Sequence, residues 1–110
     1  MKSKIIAVDF DGTLCTNAYP YIGFENWLVI DYVIAQKKLG AKIILWTCRS
    51  GKLLEEAVAW CKELGLTFDA VNENLPEIIE AFGKDTRKIF ANEYIDDLAS
   101  TKFKLPFEKV

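Results

Sequence analysis

Histidine is absent from all 110 residues, and that absence excludes more chemistry than any other. Ser-His-Asp and Cys-His nucleophilic catalysis are ruled out, and so is histidine-ligated zinc. Cysteine is scarce. Cys15, Cys48 and Cys61 are odd in number and lack metal-ligand spacing, so reduced thiols in the cytoplasm are the simplest reading. No apolar run approaches the ~18 residues of a membrane span, and the N-terminus lacks a signal-peptide pattern, so no membrane partner is expected. An excess of one charge is missing too: 14 Lys and Arg against 16 Asp and Glu leave −2, with no basic block. Nucleic acid is therefore not an expected partner, whereas a nucleotide stays compatible with the charge. Any catalysis must run on carboxylates, lysine, hydroxyls, thiols or an oxygen-bound cation. Oxygen ligands favour Mg²⁺ or a similarly hard ion.

What remains is an ordinary globular composition, 51% apolar and 27% charged, unlike a disordered tail or a coiled coil. A chain of this length is expected to form one domain spanning 1–110, burying roughly two-thirds of its unfolded surface. Apolar and helical segments alternate along it. Strands are predicted over Lys4–Phe10, Ala41–Thr47, Leu66–Val71 and Lys88–Ile95, with a short edge strand over Thr101–Leu105. Helices are predicted over Glu25–Leu39, from an N-cap at Ser50 to Gly65, and over Leu75–Phe82. Leu54, Ala57, Val58, Cys61 and Leu64 form the buried stripe of the second helix. Gly40, Gly65 and Gly83 sit just past the helix ends, and Pro76 opens the third helix. Strand alternating with helix predicts an α/β fold, a parallel sheet covered on both faces. Gly12 to Phe24 is read as a loop, long for a compact domain.

The polar residues cluster at one edge of that sheet. Strand one ends in Asp9-Phe10-Asp11-Gly12-Thr13, and residues two apart on extended backbone face the same way. Two carboxylates brought together repel, and need a cation, a shared proton or both. Thr47 ends strand two, Asn72 and Asn74 follow strand three, and Asp96-Asp97 ends strand four. In parallel sheets ligands bind beyond the carboxyl ends of the strands, where the strand order reverses. Each residue also has a plain reading: Asp11-Gly12 as a turn, Thr47 bonding backbone, Asp96-Asp97 capping a turn at Leu98–Ser100. Their joint order and phase favour a site.

With these residues in place, the chain resembles the phosphatase-like members of the haloacid dehalogenase superfamily. The first motif is matched by Asp9-Phe10-Asp11-Gly12-Thr13, the second by Ile43 to Thr47, and the last by Tyr94-Ile95-Asp96-Asp97. The resemblance implies a three-layer Rossmann-like fold without a cap domain. It also implies a Mg²⁺-dependent phosphohydrolase. Asp9 would be the nucleophile forming an aspartyl-phosphate, and Asp11 the general acid and then base. Mg²⁺ would be held by Asp9, the backbone carbonyl of Asp11, and Asp96, with Asp97 acting through water or by orienting a lysine. Thr47 and the loop at Cys48 would cradle the phosphoryl group. The neutralising lysine would be Lys88, with Lys84 as the alternative. Arg49 either touches substrate or is a solvated loop charge. Asn72 and Asn74 either contact substrate or cap the third helix. The Gly12–Phe24 stretch corresponds to a flap whose tip, Tyr19-Pro20-Tyr21, would contact substrate, although Tyr19, Tyr21 and Trp27 also suit packing. The substrate would be a phosphorylated small molecule or macromolecule, with a homo-oligomer neighbour as one source of specificity. The rival reading is a non-catalytic phosphate- or metal-binding regulatory module. Phosphoryl transfer or phosphonate chemistry stands third, and the Asp11-Gly12-Thr13 form disfavours dehalogenation.

Overall fold

The chain runs β1 (Ile5–Val8), β2 (Cys15–Ala18), β3 (Tyr21–Glu25), α1 (Trp27–Lys38), β4 (Lys42–Leu45), α2 (Gly51–Glu63), β5 (Ala70–Val71), α3 (Pro76–Phe82) and β6 (Glu93–Ile95). This is a computed structural model, and it describes residues 3–97. The edge strand predicted at Thr101–Leu105 and the turn at Leu98–Ser100 lie outside the described residues. No helix among the described residues is long and apolar enough to cross a membrane.

Ile5-Ile6-Ala7-Val8 is apolar at every position, the pattern of a strand buried on both faces. It takes the middle of a four-stranded sheet of order β5-β4-β1-β6, in which every pair is parallel. Alternate residues divide between two apolar clusters. Ile6, Val8, Ile43 and Leu45 pack with Ile30 and Val33 of α1 and with Ala57 and Cys61 of α2. Ile5, Ala7 and Ile44 pack instead with Leu75, Ile78 and Ile89, on the side of α3. The sheet is thus flanked by helices, as the alternation of segments predicts. From β1 the chain steps outward to β4 and then β5, before returning to lay β6 on the other side of β1. The strand order therefore reverses between β1 and β6.

Two strands are shorter than expected, β1 ending at Val8 rather than Phe10 and β4 at Leu45 rather than Thr47, and four other elements depart further. The expected loop after Gly12 is an antiparallel hairpin, β2–β3, in which Asn17 pairs with Ile22 and Ala18 with Tyr21 around a cis Tyr19–Pro20 bond. Helix α1 starts at Trp27 rather than Glu25, since Glu25 still pairs with Cys15. The Asn26 side-chain amide donates to the Thr13 carbonyl (2.8 Å) instead of capping the helix. Strand β5 is cut to Ala70–Val71, because the Leu66 N–H closes the end of α2 on Cys61. Strand β6 begins at Glu93 rather than Lys88: the Phe90 N–H donates to Asn74 Oδ1 and the Asn92 side chain accepts from the Ile5 N–H (both 2.7 Å).

Candidate functional site

Sheet pairing continues one residue past β1. The Asp9 N–H donates to Ile95 O and the Trp46 N–H to Val8 O, both at 2.9 Å. Asp9 is thereby held rigidly beside the end of β6, at the reversal of strand order. Phe10 then turns inward and is fully buried, its ring edge-on to Trp60 at 5.6 Å. Its carbonyl accepts from the N–H groups of Thr13 and Leu14, which closes a tight turn through Gly12 at φ +84°.

That turn and the end of β6 bring three carboxylates together. Asp9, Asp96 and Asp97 each offer an oxygen within 4.8 Å of the others, and all three side chains are half-buried. Thr13 stitches the group: its hydroxyl donates to Asp9 Oδ2 (3.4 Å) and accepts from the Asp97 N–H (3.1 Å). Burial, joined by the charges of Asp96 and Asp97, pushes the Asp9 carboxyl up to about 7 from an ordinary 3.8. Crowded, desolvated carboxylates of this kind are a donor set for a hard divalent cation, all oxygen and strongly anionic. The residues fit Mg²⁺, with Asp97 joining Asp9 and Asp96 as a direct candidate ligand.

Asp11 faces a different partner. Arg49 Nε donates to Asp11 Oδ2 (2.9 Å) and Nη2 to Oδ1 (2.8 Å), a bidentate pair. Arg49 is 1% exposed, so it is not a solvated loop charge, and it lines the cavity beside Asp11.

On the other wall, the Thr47 hydroxyl accepts from the Arg49 N–H (3.1 Å), and the Thr47 N–H donates to Asn72 Oδ1 (2.8 Å). Asn72, at φ +55°, thus shapes the loop after β4. Asn74 is buried and structural, its amide donating to Asp85 and Thr86 and its oxygen accepting from Phe90. Asp9, Asp11, Thr47, Cys48, Arg49, Asp96 and Asp97 line one cavity of about 540 Å³, together with Asn17 and Tyr19 of the hairpin. A wider groove of about 680 Å³ between the hairpin turn and α2 contains none of the acidic cluster.

The lysines are not brought in. Lys84 and Lys88 are exposed, neither lines the cavity, and neither forms an ion pair among the described residues. Tyr19, at 57% exposure, is at the cavity, whereas Tyr21 and Trp27 are exposed rather than packed inside. Two features escaped the sequence reading. Thr13 as a bridge was signalled by its place four residues after Asp9, since a turn there returns the hydroxyl to the first carboxylate. The Asp11–Arg49 pair joins residues 38 apart and left no local signal.

No family model matches the chain, and no curated protein matches it. Among solved structures, it is similar to a conserved protein coded by a locus of Bacteroides thetaiotaomicron, at 38% identity with a TM-score of 0.79. The match covers 91% of this chain and 80% of that one. Likeness at that level over most of both chains places this protein in the same family as the Bacteroides thetaiotaomicron protein.

Proposed function

We propose that the chain is a Mg²⁺-dependent phosphomonoesterase acting through Asp9, on a three-layer Rossmann-like domain of haloacid dehalogenase type with no cap. One observation carries the reading: Asp9, Asp96 and Asp97 converge at the reversal of strand order, in a cavity shared with Asp11 and Thr47. The two apolar clusters on opposite faces of the sheet support the layered fold.

In the proposed reaction an Asp9 carboxylate oxygen bonds to phosphorus as the ester P–O bond breaks. The departing oxygen takes a proton from Asp11. In the second half, Asp11 takes a proton from water as that water attacks phosphorus and frees Asp9. Thr47 and the loop at Cys48 face the phosphoryl oxygens. Asp9, the Asp11 backbone carbonyl, Asp96 and Asp97 would hold the cation. When bound, it offsets the charge that would keep a carboxylate from a phosphate dianion. Lys88 is assigned the remaining positive charge. Its exposed ammonium would swing toward the cavity, and Lys88→Ala against Lys84→Ala decides between the two. The three free thiols suit a cytoplasmic setting. The substrate class is a phosphomonoester, small or macromolecular.

The test is release of inorganic phosphate from an aryl phosphate with Mg²⁺. Asp9→Asn should lower the rate at least about 100-fold, and wild-type rates in that variant would overturn the assignment. Among the described residues no lysine lines the cavity, which favours a second reading, a phosphate- or metal-binding module without turnover. Mg²⁺ binding without phosphate release across a broad ester panel would select it.

A further inference from the structure

Arg49 is the largest of the fully buried side chains, and its guanidinium has no donor to spare. Guanidinium carries five N–H groups. Nε and one N–H of Nη2 go to the two Asp11 oxygens, and the other N–H of Nη2 to Tyr21 O (2.9 Å). Nη1 donates to Pro20 O (3.3 Å) and Leu53 O (3.5 Å). The guanidinium carbon also lies over two aromatic rings, 4.9 Å from the Phe10 centroid and 5.2 Å from that of Tyr19. One side chain therefore ties the carboxylate after β1 to the turn of the β2–β3 hairpin and to the first turn of α2. Both residues line the cavity, but Asp11 stays partly exposed there while the Arg49 side chain is fully buried.

We propose that Arg49 is a positioning residue that couples the β2–β3 hairpin to the Asp11 carboxylate, and does not bind substrate. A bidentate pair fixes both the direction and the plane of a carboxylate, which a lysine, as a point charge, does not. The hairpin turn supplies two of the acceptors that fix the guanidinium in turn. Movement of Tyr19–Tyr21 is thereby transmitted to the group that handles the leaving-group proton. The assignment of that proton to Asp11 rests on the phosphomonoesterase reading; the mechanical coupling does not.

Two measurements test it. In the first, kcat and KM are compared for wild type and Arg49→Lys on an aryl phosphate, whose leaving group departs unprotonated, and an alkyl phosphate, whose leaving group needs a proton. Arg49→Lys should lower kcat on the alkyl ester about 100-fold and on the aryl ester less than about fivefold, with KM little changed. Equal losses on both esters would reduce Arg49 to a structural role. A raised KM at unchanged kcat would make it a substrate ligand. Either result overturns the proposal. In the second, Asp11→Asn removes the charge at the far end, and amide exchange at Ala18, Tyr21 and Ile22 should accelerate at least about tenfold. Unchanged exchange there also overturns it. If wild type turns over neither ester, the phosphomonoesterase reading falls on its own and exchange alone decides the coupling. The same holds if Arg49→Lys does not fold.

Discussion

Gly12 occupies a position where any side chain would be strained. Its φ of +84° is left-handed, and a Cβ there would overlap the Asp97 carboxylate. Gly12→Ala should therefore cost about 1–3 kcal/mol of stability through backbone strain. By displacing Asp97, it should also weaken Mg²⁺ binding about 10–100-fold. Thermal unfolding and calorimetric titration with Mg²⁺ check the two halves, and an unchanged affinity would remove Asp97 from the ligand set. Asp9 makes a second prediction, on pH. Burial raises its carboxyl to about 7 in the folded chain, against an ordinary 3.8. Between those values the folded state holds a proton that the unfolded state has released. The stability this group contributes without metal is thus complete below the ordinary value and is lost as pH rises through about 7. Asparagine does not titrate. The stability of Asp9→Asn relative to wild type, both freed of metal by chelation, should accordingly climb between pH 4 and pH 7 and then level off. A difference that stays flat in urea titrations across that range would show that the Asp9 carboxyl is not desolvated.

At the level of elements, what was legible in the sequence is what periodicity and local chemistry encode. The β1 run and the Leu54, Ala57, Val58, Cys61, Leu64 stripe of α2 fall in the core because burial follows a repeat that can be counted. Gly40, Gly65 and Gly83 end their helices with positive φ, again a local rule. The misses fall where the pattern is irregular or the partners are distant. The β2–β3 hairpin has no uniform alternation, with a register irregularity between Cys15 and Asn17, so its Gly-, Pro- and Asn-containing sequence read as loop. β6 was overextended because Lys88–Asn92 looks apolar enough for a strand, yet its backbone bonds go to Asn74 and Ile5, distant in sequence. The acidic cluster was largely foreseeable, because strand-end carboxylates share one sheet edge. The Arg49 network was not, because its partners lie on three separate elements. Asn74 carries the element-scale prediction. Asn74→Ala leaves the Phe90 N–H without its acceptor and frees the Asp85–Thr86 loop, so urea denaturation should show a loss of about 1–3 kcal/mol. The slope with denaturant should stay unchanged. A loss below about 0.5 kcal/mol would mean that water takes over these bonds.

Across the whole molecule, the same cluster that crowds negative charge also joins the weakest part of the sheet to its centre. Among the described residues, β6 has three residues and one strand neighbour, β1, with three paired positions. Asp9 follows β1, and Asp96 and Asp97 follow β6, so a cation shared by them would clamp an edge strand that the ladder alone holds lightly. A ligand that binds only the folded state at 100 times its Kd adds about 2.7 kcal/mol, which for a domain this small is a rise of about 10 °C or more in Tm. The gain should be local as well as global, with Mg²⁺ slowing amide exchange in Glu93–Ile95 more than in Lys42–Leu45. Asp9→Asn should reverse sign with the ion. Near pH 7 without metal, the variant loses a desolvated charge and should melt above wild type. With saturating Mg²⁺ it lacks a ligand and should melt below it. The two melting curves, with chelator and with Mg²⁺, must therefore cross. Parallel curves would mean that the three carboxylates do not act on one ion, and the metal assignment would fall with them.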